Sequence, residues 1–288
     1  MDAEETRAHA EHEVLELVAA SLVEQVDYAV VAQDVSSSLS SKPIPCPWGF
    51  WATWLWMIPL CLAFVVAQTV VIFAYIVVQG MLAHGAGEPF DGNLLAQEAT
   101  FNGLVLSLCT LATTATMVVL LPPIIWLRRM RVADYLGIDR PSGKQFALTA
   151  LLVATFAVTS DLSMWLMGKQ IIPEFMLKAQ ATAGFDPLLW LALIVVGPLG
   201  EEIVFRGFLL APRSSQLVRT AGLILTSLAW AAVHMQYDFH GILTIFLTGL
   251  ALGMIRLRTG STTLTFWMHA LLNAAATVEL YAHLYLFA

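Results

Sequence analysis

Charge is what this chain has least of. Only 12% of its residues are Asp, Glu, Lys or Arg, about half of the roughly 25% found in ordinary soluble domains. Basic residues are the scarcer kind, 14 against 21 acidic ones, for a net charge of −7. That balance excludes a basic nucleic-acid-binding surface. Nine of the 21 acidic residues crowd into positions 1–34, so the chain does not open on the positive stretch of a secretory leader. Cysteine is almost absent. Cys46, Cys61 and Cys109 are odd in number and lack metal-type spacing, which reads as buried or idle thiols. No H-E-x-x-H occurs, so a zincin-type site is excluded. No internal repeat of the kind many transporters show is visible either.

What fills the chain is apolar: 58% of residues are hydrophobic and the mean hydropathy is +0.75. Several runs are long enough to cross a bilayer. The fold class expected is all-α, a polytopic transmembrane helical bundle behind an acidic N-terminal tail. The tail, 1–45, places Val14, Leu17, Leu22 and Val26 at helical spacing, an amphipathic helix. "SSSLSSKPIPCP" then reads as a linker. Seven spans are expected, at 51–79, 102–126, 146–168, 187–210, 220–236, 240–256 and 262–284. They divide into N-terminal spans within 46–186 and a core within 187–284. Five Lys/Arg lie between Arg128 and Lys144, and Arg213, Arg219, Arg256 and Arg258 mark the fourth and sixth connections. The first and fifth connections hold none, and the third, with Lys169 and Lys178, is a mild exception; the alternation puts the N-terminus on the cytoplasmic side.

Ionisable groups at bilayer depth are costly and by default suggest function. Within the expected spans they are Asp161, Glu201, Glu202, Arg206 and Glu279, together with His234, His269 and His283. Asp161 has Thr159 and Ser160 beside it and can be satisfied locally; Glu279 lies near the outer boundary. Glu201 and Glu202 are about 100° apart on a helix and face different ways. Glu202 and Arg206 are four apart with the acid first, the favourable order for a pair, and read as a clamp. Glu201 then has no local partner, which suits a general base. The preceding "GPLG" predicts a break near Gly197–Gly200, with both carboxylates in the first turn of a half-helix and stabilised by its dipole.

His234 follows Trp230 by four residues, and Asn273 follows His269 by four. At about 1.5 Å per residue, Glu201 lies about 14 Å deep, His269 and Asn273 about 11–17 Å, and His234 about 21 Å, so the four can share one layer. Hydrolysis needs such a set: a base that takes a proton from water, and donors that steady the oxyanion. Glu201 with His234 supplies the first, and His269 with Asn273 the second. A Zn²⁺ ion held by Glu201, His234 and His269 would activate the water instead. The residues alone leave both routes open, and whether a metal is bound is unknown.

At these residues the chain resembles a known family. "EEIVFRG" matches the EExxxR motif of the CPBP intramembrane proteases, which include the type II CAAX prenyl endopeptidases and bacterial Abi proteins. "WAAVH" is similar to the family's FxxxH, with Trp230 in place of Phe, and "HALLN" to its HxxxN/D. The order and the spacing of roughly thirty residues agree, and "FLTGLALGMIRLRTGSTT" resembles the intervening stretch; the likeness covers about 187–280. It implies peptide-bond hydrolysis in the membrane, with a membrane protein or a prenylated or other peptide as substrate and the lipid bilayer as surroundings. It implies that Glu201 and His234 activate water, that His269 and Asn273 stabilise the oxyanion, and that Glu202 and Arg206 complete the first motif. The family is often named as metalloproteases. Two other readings stand beside this one: a non-catalytic scaffold or immunity factor, and a transporter using the same groups as a proton relay.

Overall fold

The computed structural model describes residues 49–210 and 216–286. The acidic tail, its expected helix and Cys46 lie outside the described residues. Within them there are ten helices and no strand: α1 Phe50–Ala86, with one turn residue at Trp56, α2 Gly92–Ala99, α3 Gly103–Trp126, α4 Val132–Leu136, α5 Gly143–Leu166, α6 Glu174–Ala181, α7 Asp186–Leu209, α8 Gln216–Ala232, α9 Phe239–Thr259 and α10 Thr262–Leu286. Polar side chains set several starts. Asn102 accepts from the Val105 amide at 3.1 Å, and Ser142 with Gln145 forms a capping box on α5. Asp238 accepts from the Gly241 amide at 2.8 Å and opens α9.

Five of these helices, α1, α3, α5, α7 and α9, are long and apolar enough to cross a membrane. The expected count of seven spans is therefore not reached by length and composition. The described part of helix α8 has 17 residues, about 26 Å, against the roughly 30 Å hydrocarbon core. Helix α10 has 25 residues, but Thr262, Thr263, Thr265, His269, Asn273, Thr277 and Glu279 dilute its hydropathy. The outer surface is apolar: Phe73 is 66% exposed and Leu151 67%, which suits lipid contact rather than water.

The interior is built around α7. Met117, Leu121 and Ile125 of α3, Phe205, Phe208 and Leu209 of α7, Trp230 of α8, Leu252 and Ile255 of α9, and Leu264 and Met268 of α10 form one buried cluster. Helices α3, α8, α9 and α10 all pack on α7.

Helix α7 does not break at "GPLG". It continues through two π-helical stretches, Leu191–Val196 and Glu202–Leu209, on either side of an α-helical turn, Gly197–Glu201. The widened spacing is visible at Gly197, whose N–H bonds to the Ala192 carbonyl five residues back. Pro198 has no N–H, so the next carbonyl in that register, Leu193, is left without a donor from its own helix. The proline is accommodated within a continuous helix next to a π-helical stretch. Stretches of π-helix are rare and concentrate at functional sites. Both carboxylates consequently lie mid-helix, not at a helix N-terminus, and the expected dipole stabilisation does not apply.

Candidate active site

Glu202 opens the second π stretch and is fully buried, as is Arg206. The Arg206 Nη1 donates to Glu202 Oε1 at 2.9 Å, and the same oxygen receives the His269 ring nitrogen Nδ1 at 3.0 Å. A carboxylate only accepts, so Nδ1 of His269 carries its proton. Arg206 also directs Nη2 at the Gly249 carbonyl, 3.5 Å away. Its guanidinium lies 4.4 Å from the centre of the Trp230 ring, a cation–π contact in a dry setting. The clamp expected from the four-residue spacing is present and is three-sided, because α10 adds His269.

Glu201 is half-buried and has a partner, contrary to the sequence expectation. The indole Nε1 of Trp230, 29 residues along the chain, donates to Glu201 Oε2 at 2.5 Å. Trp230 is 3% exposed, and its ring meets the rings of His234 and His269 edge-on at 5.3 and 5.2 Å. Glu201, His234, His269 and Arg206 thus all border one indole. The Nδ1 of His234 lies 2.8 Å from the Trp230 carbonyl. That carbonyl can only accept, so the proton is on Nδ1 and the lone pair of the neutral ring is on Nε2.

Asn273 stands one turn beyond His269 on α10. Its Nδ2 donates to the Leu193 carbonyl at 2.8 Å, the carbonyl that Pro198 leaves unpaired. An amide nitrogen has two protons, so one remains for another acceptor.

Among the described residues no three His, Cys, Asp or Glu side chains gather so as to hold one ion.

Three residues near the site had no role in the sequence reading beyond bulk or topology. Trp230 was read as an aromatic wall, although its place four before His234 put it on the same face. Tyr237 follows α8, its ring 6.2 Å from that of His234. Burial and the nearby Glu201 carboxylate push its phenol up to about 12. Arg256 was counted as a connection residue, but it is fully buried within α9. Its Nε donates to the Arg206 carbonyl at 3.0 Å and its Nη1 to the Gly260 carbonyl, tying α9 to the end of the clamp. Asp161, by contrast, receives no help from Thr159, whose hydroxyl donates to the carbonyls of Thr155 and Phe156.

A comparison with protein families matches residues 183–275 to the type II CAAX prenyl endopeptidase Rce1-like family. That segment, less than half of the chain, is similar to the Rce1-like family. It contains Glu201, Glu202, Arg206, His234, His269 and Asn273, as well as Trp230, Tyr237 and Arg256. An uncharacterized 24.3 kDa protein of Escherichia coli is 27% identical over 205 residues, which is 68% of this chain and 83% of that one. No solved structure matches the chain. Five helices long and apolar enough to cross a membrane suit an integral membrane protein, and residues 183–275 are similar to a family of membrane proteases.

Proposed function

We propose that the chain hydrolyses a peptide bond of a membrane-associated substrate, using a water activated by Glu201 with His234. The observation that carries this reading is the convergence on Trp230. One carboxylate and two imidazoles from α7, the turn after α8, and α10 border a single buried ring. Glu201, with His234 Nε2 as a second acceptor, takes a proton from water as the water oxygen adds to the carbonyl carbon. Asn273 offers its second N–H to the oxyanion. His269, its ring oriented by the bond from Nδ1 to Glu202, is the second group assigned to the oxyanion. The tetrahedral carbon then expels the amine, which receives the proton the base had taken. Glu202 and Arg206 hold π-helical α7 against α9 and α10, so the base keeps its place. The cytoplasmic N-terminus remains part of this proposal.

A library of membrane-anchored peptides, offered to the chain in proteoliposomes and read by mass spectrometry, tests it. Products must appear with wild type and disappear with Glu201→Gln and with His234→Ala while both variants keep the wild-type melting temperature. Identical product patterns from all three would favour the scaffold reading. Among the described residues the buried Glu, Arg and His side chains, Glu202, Arg206, Arg256 and His269, lie together at the clamp, which favours a single site over a transport path.

A further inference from the structure

Phenylalanine at position 230 would supply an aromatic wall; tryptophan supplies that and a hydrogen-bond donor. We infer that Trp230 is a positioning residue for the water-activating carboxylate: its indole N–H ties down Glu201 Oε2 and leaves Oε1 as the oxygen that meets the water. The inference rests on the proposed role of Glu201.

The geometry that supports it is the enclosure of the indole. One face carries the Arg206 guanidinium at 4.4 Å. The rings of His234 and His269 meet it edge-on at 5.3 and 5.2 Å. On the α9 side Gly249 leaves no slack, since a Cβ there would stand 3.1 Å from Trp230 Cε3 and 3.0 Å from Ser227 Cβ. Trp230 is buried to 3% exposure, so its N–H has no water to turn to, and an unmade bond would be costly. A donor fixed on all sides and aimed at one carboxylate oxygen holds the other in a single direction. Orientation of that kind raises the rate of the chemical step without strengthening substrate binding.

A purely structural role for the ring predicts something different. Arg206, His234 and His269 contact the ring, and phenylalanine preserves a ring; only Glu201 uses the N–H. Trp230→Phe is therefore the informative variant, with Trp230→Leu as the packing control. Three measurements on the full chain in proteoliposomes decide the matter, using any peptide that the wild type cleaves. Trp230→Phe should keep its melting temperature and its KM while kcat falls about 10-fold or more. Trp230→Leu should lose melting temperature as well. In chain carrying 15N-labelled tryptophan, one indole N–H resonance should lie far downfield, vanish in Trp230→Phe and move upfield in Glu201→Gln, where a neutral amide replaces the carboxylate.

Wild-type kcat in Trp230→Phe beside an inactive Glu201→Gln would overturn the inference and leave the function standing. An indole resonance indifferent to Glu201→Gln would overturn it too. Wild-type kcat in Glu201→Gln would instead overturn the function, and with it any role for Trp230 in that reaction.

Discussion

The amide of Asn273 donates to the carbonyl of Leu193, 80 residues earlier in the chain, at 2.8 Å. That carbonyl is the one which the π register of α7 would pair with residue 198, where proline has no N–H to give. A helix defect in α7 and a motif residue in α10 thus complete each other. Asn273→Ala should destabilise the bundle by about 1–2 kcal/mol, the cost of leaving a half-buried acceptor unmade. Pro198→Ala restores a donor within α7, so the double variant should lose less than the sum of the two single losses. A double-mutant cycle on denaturation midpoints measures this coupling, expected at about 0.5–3 kcal/mol. Strict additivity would mean that Asn273 does not replace the missing bond.

The ion pair of Glu202 and Arg206 holds three elements together at once, since the same carboxylate oxygen also binds His269 of α10. Removing one member leaves an uncompensated buried charge, at a cost of about 3–5 kcal/mol. Glu202→Gln and Arg206→Ala should therefore both lower the melting temperature sharply and reduce the folded yield. Arg206→Lys should not rescue, because a point charge cannot reach Glu202, the Gly249 carbonyl and the face of Trp230 together. Glu201→Gln, with its half-buried side chain, should melt like wild type. Thermal melts in detergent compare all four.

Gly249 lets α9 approach α8 at the height of Trp230. The Cβ of an alanine there would meet Ser227 Cβ at 3.0 Å and Trp230 Cε3 at 3.1 Å. Gly249→Ala should push the indole against its neighbours and cost about 1–3 kcal/mol, the usual range for overpacking. Turnover should fall with it, because Trp230 holds Glu201. A melt and a rate measured on the same preparation check this. Unchanged values for both would show that α9 can shift without moving the indole.

Tyr237 offers a pH handle outside the spans. Its phenol is pushed from an ordinary 10.0 up to about 12 by burial and, secondarily, by Glu201. Between those values the unfolded chain loses this proton while the folded chain keeps it. The stability linked to this group is thus present in full below pH 10 and is lost as pH rises through about 12. The tyrosinate absorbance of wild type minus that of Tyr237→Phe should show one titration with its midpoint near 12, moving lower in Glu201→Gln. A midpoint at the ordinary value would mean that the phenol sits in open water.

Much of the architecture was legible in the sequence because the bilayer imposes simple length and composition rules. The starts of α3, α7, α9 and α10 fall within one residue of those read from the apolar runs. The Glu202–Arg206 pair was legible because a four-residue spacing is local; it survives even in a π-helical stretch. What failed was non-local or depended on neighbours. Pro198 signals a break when read alone, but packing of α3 and α10 against α7 holds the helix together. Glu201 looked unpartnered because its donor, Trp230, lies on another helix. Arg256 looked like a loop cation until α9 proved to extend to Thr259 and to bury it beneath the Arg206 carbonyl. Helices α8 and α10 were counted as spans from their apolar content, and among the described residues neither meets the length and hydropathy of the other five.

The central claim, that Glu201 makes a buried water attack an amide, is tested most directly in cells. New N-termini among membrane-protein fragments should be compared between cells carrying wild type and cells carrying Glu201→Gln at equal abundance. The account predicts a set of cleavage products made by wild type and missing with Glu201→Gln. The same fragments in both, with both chains folded, would contradict it.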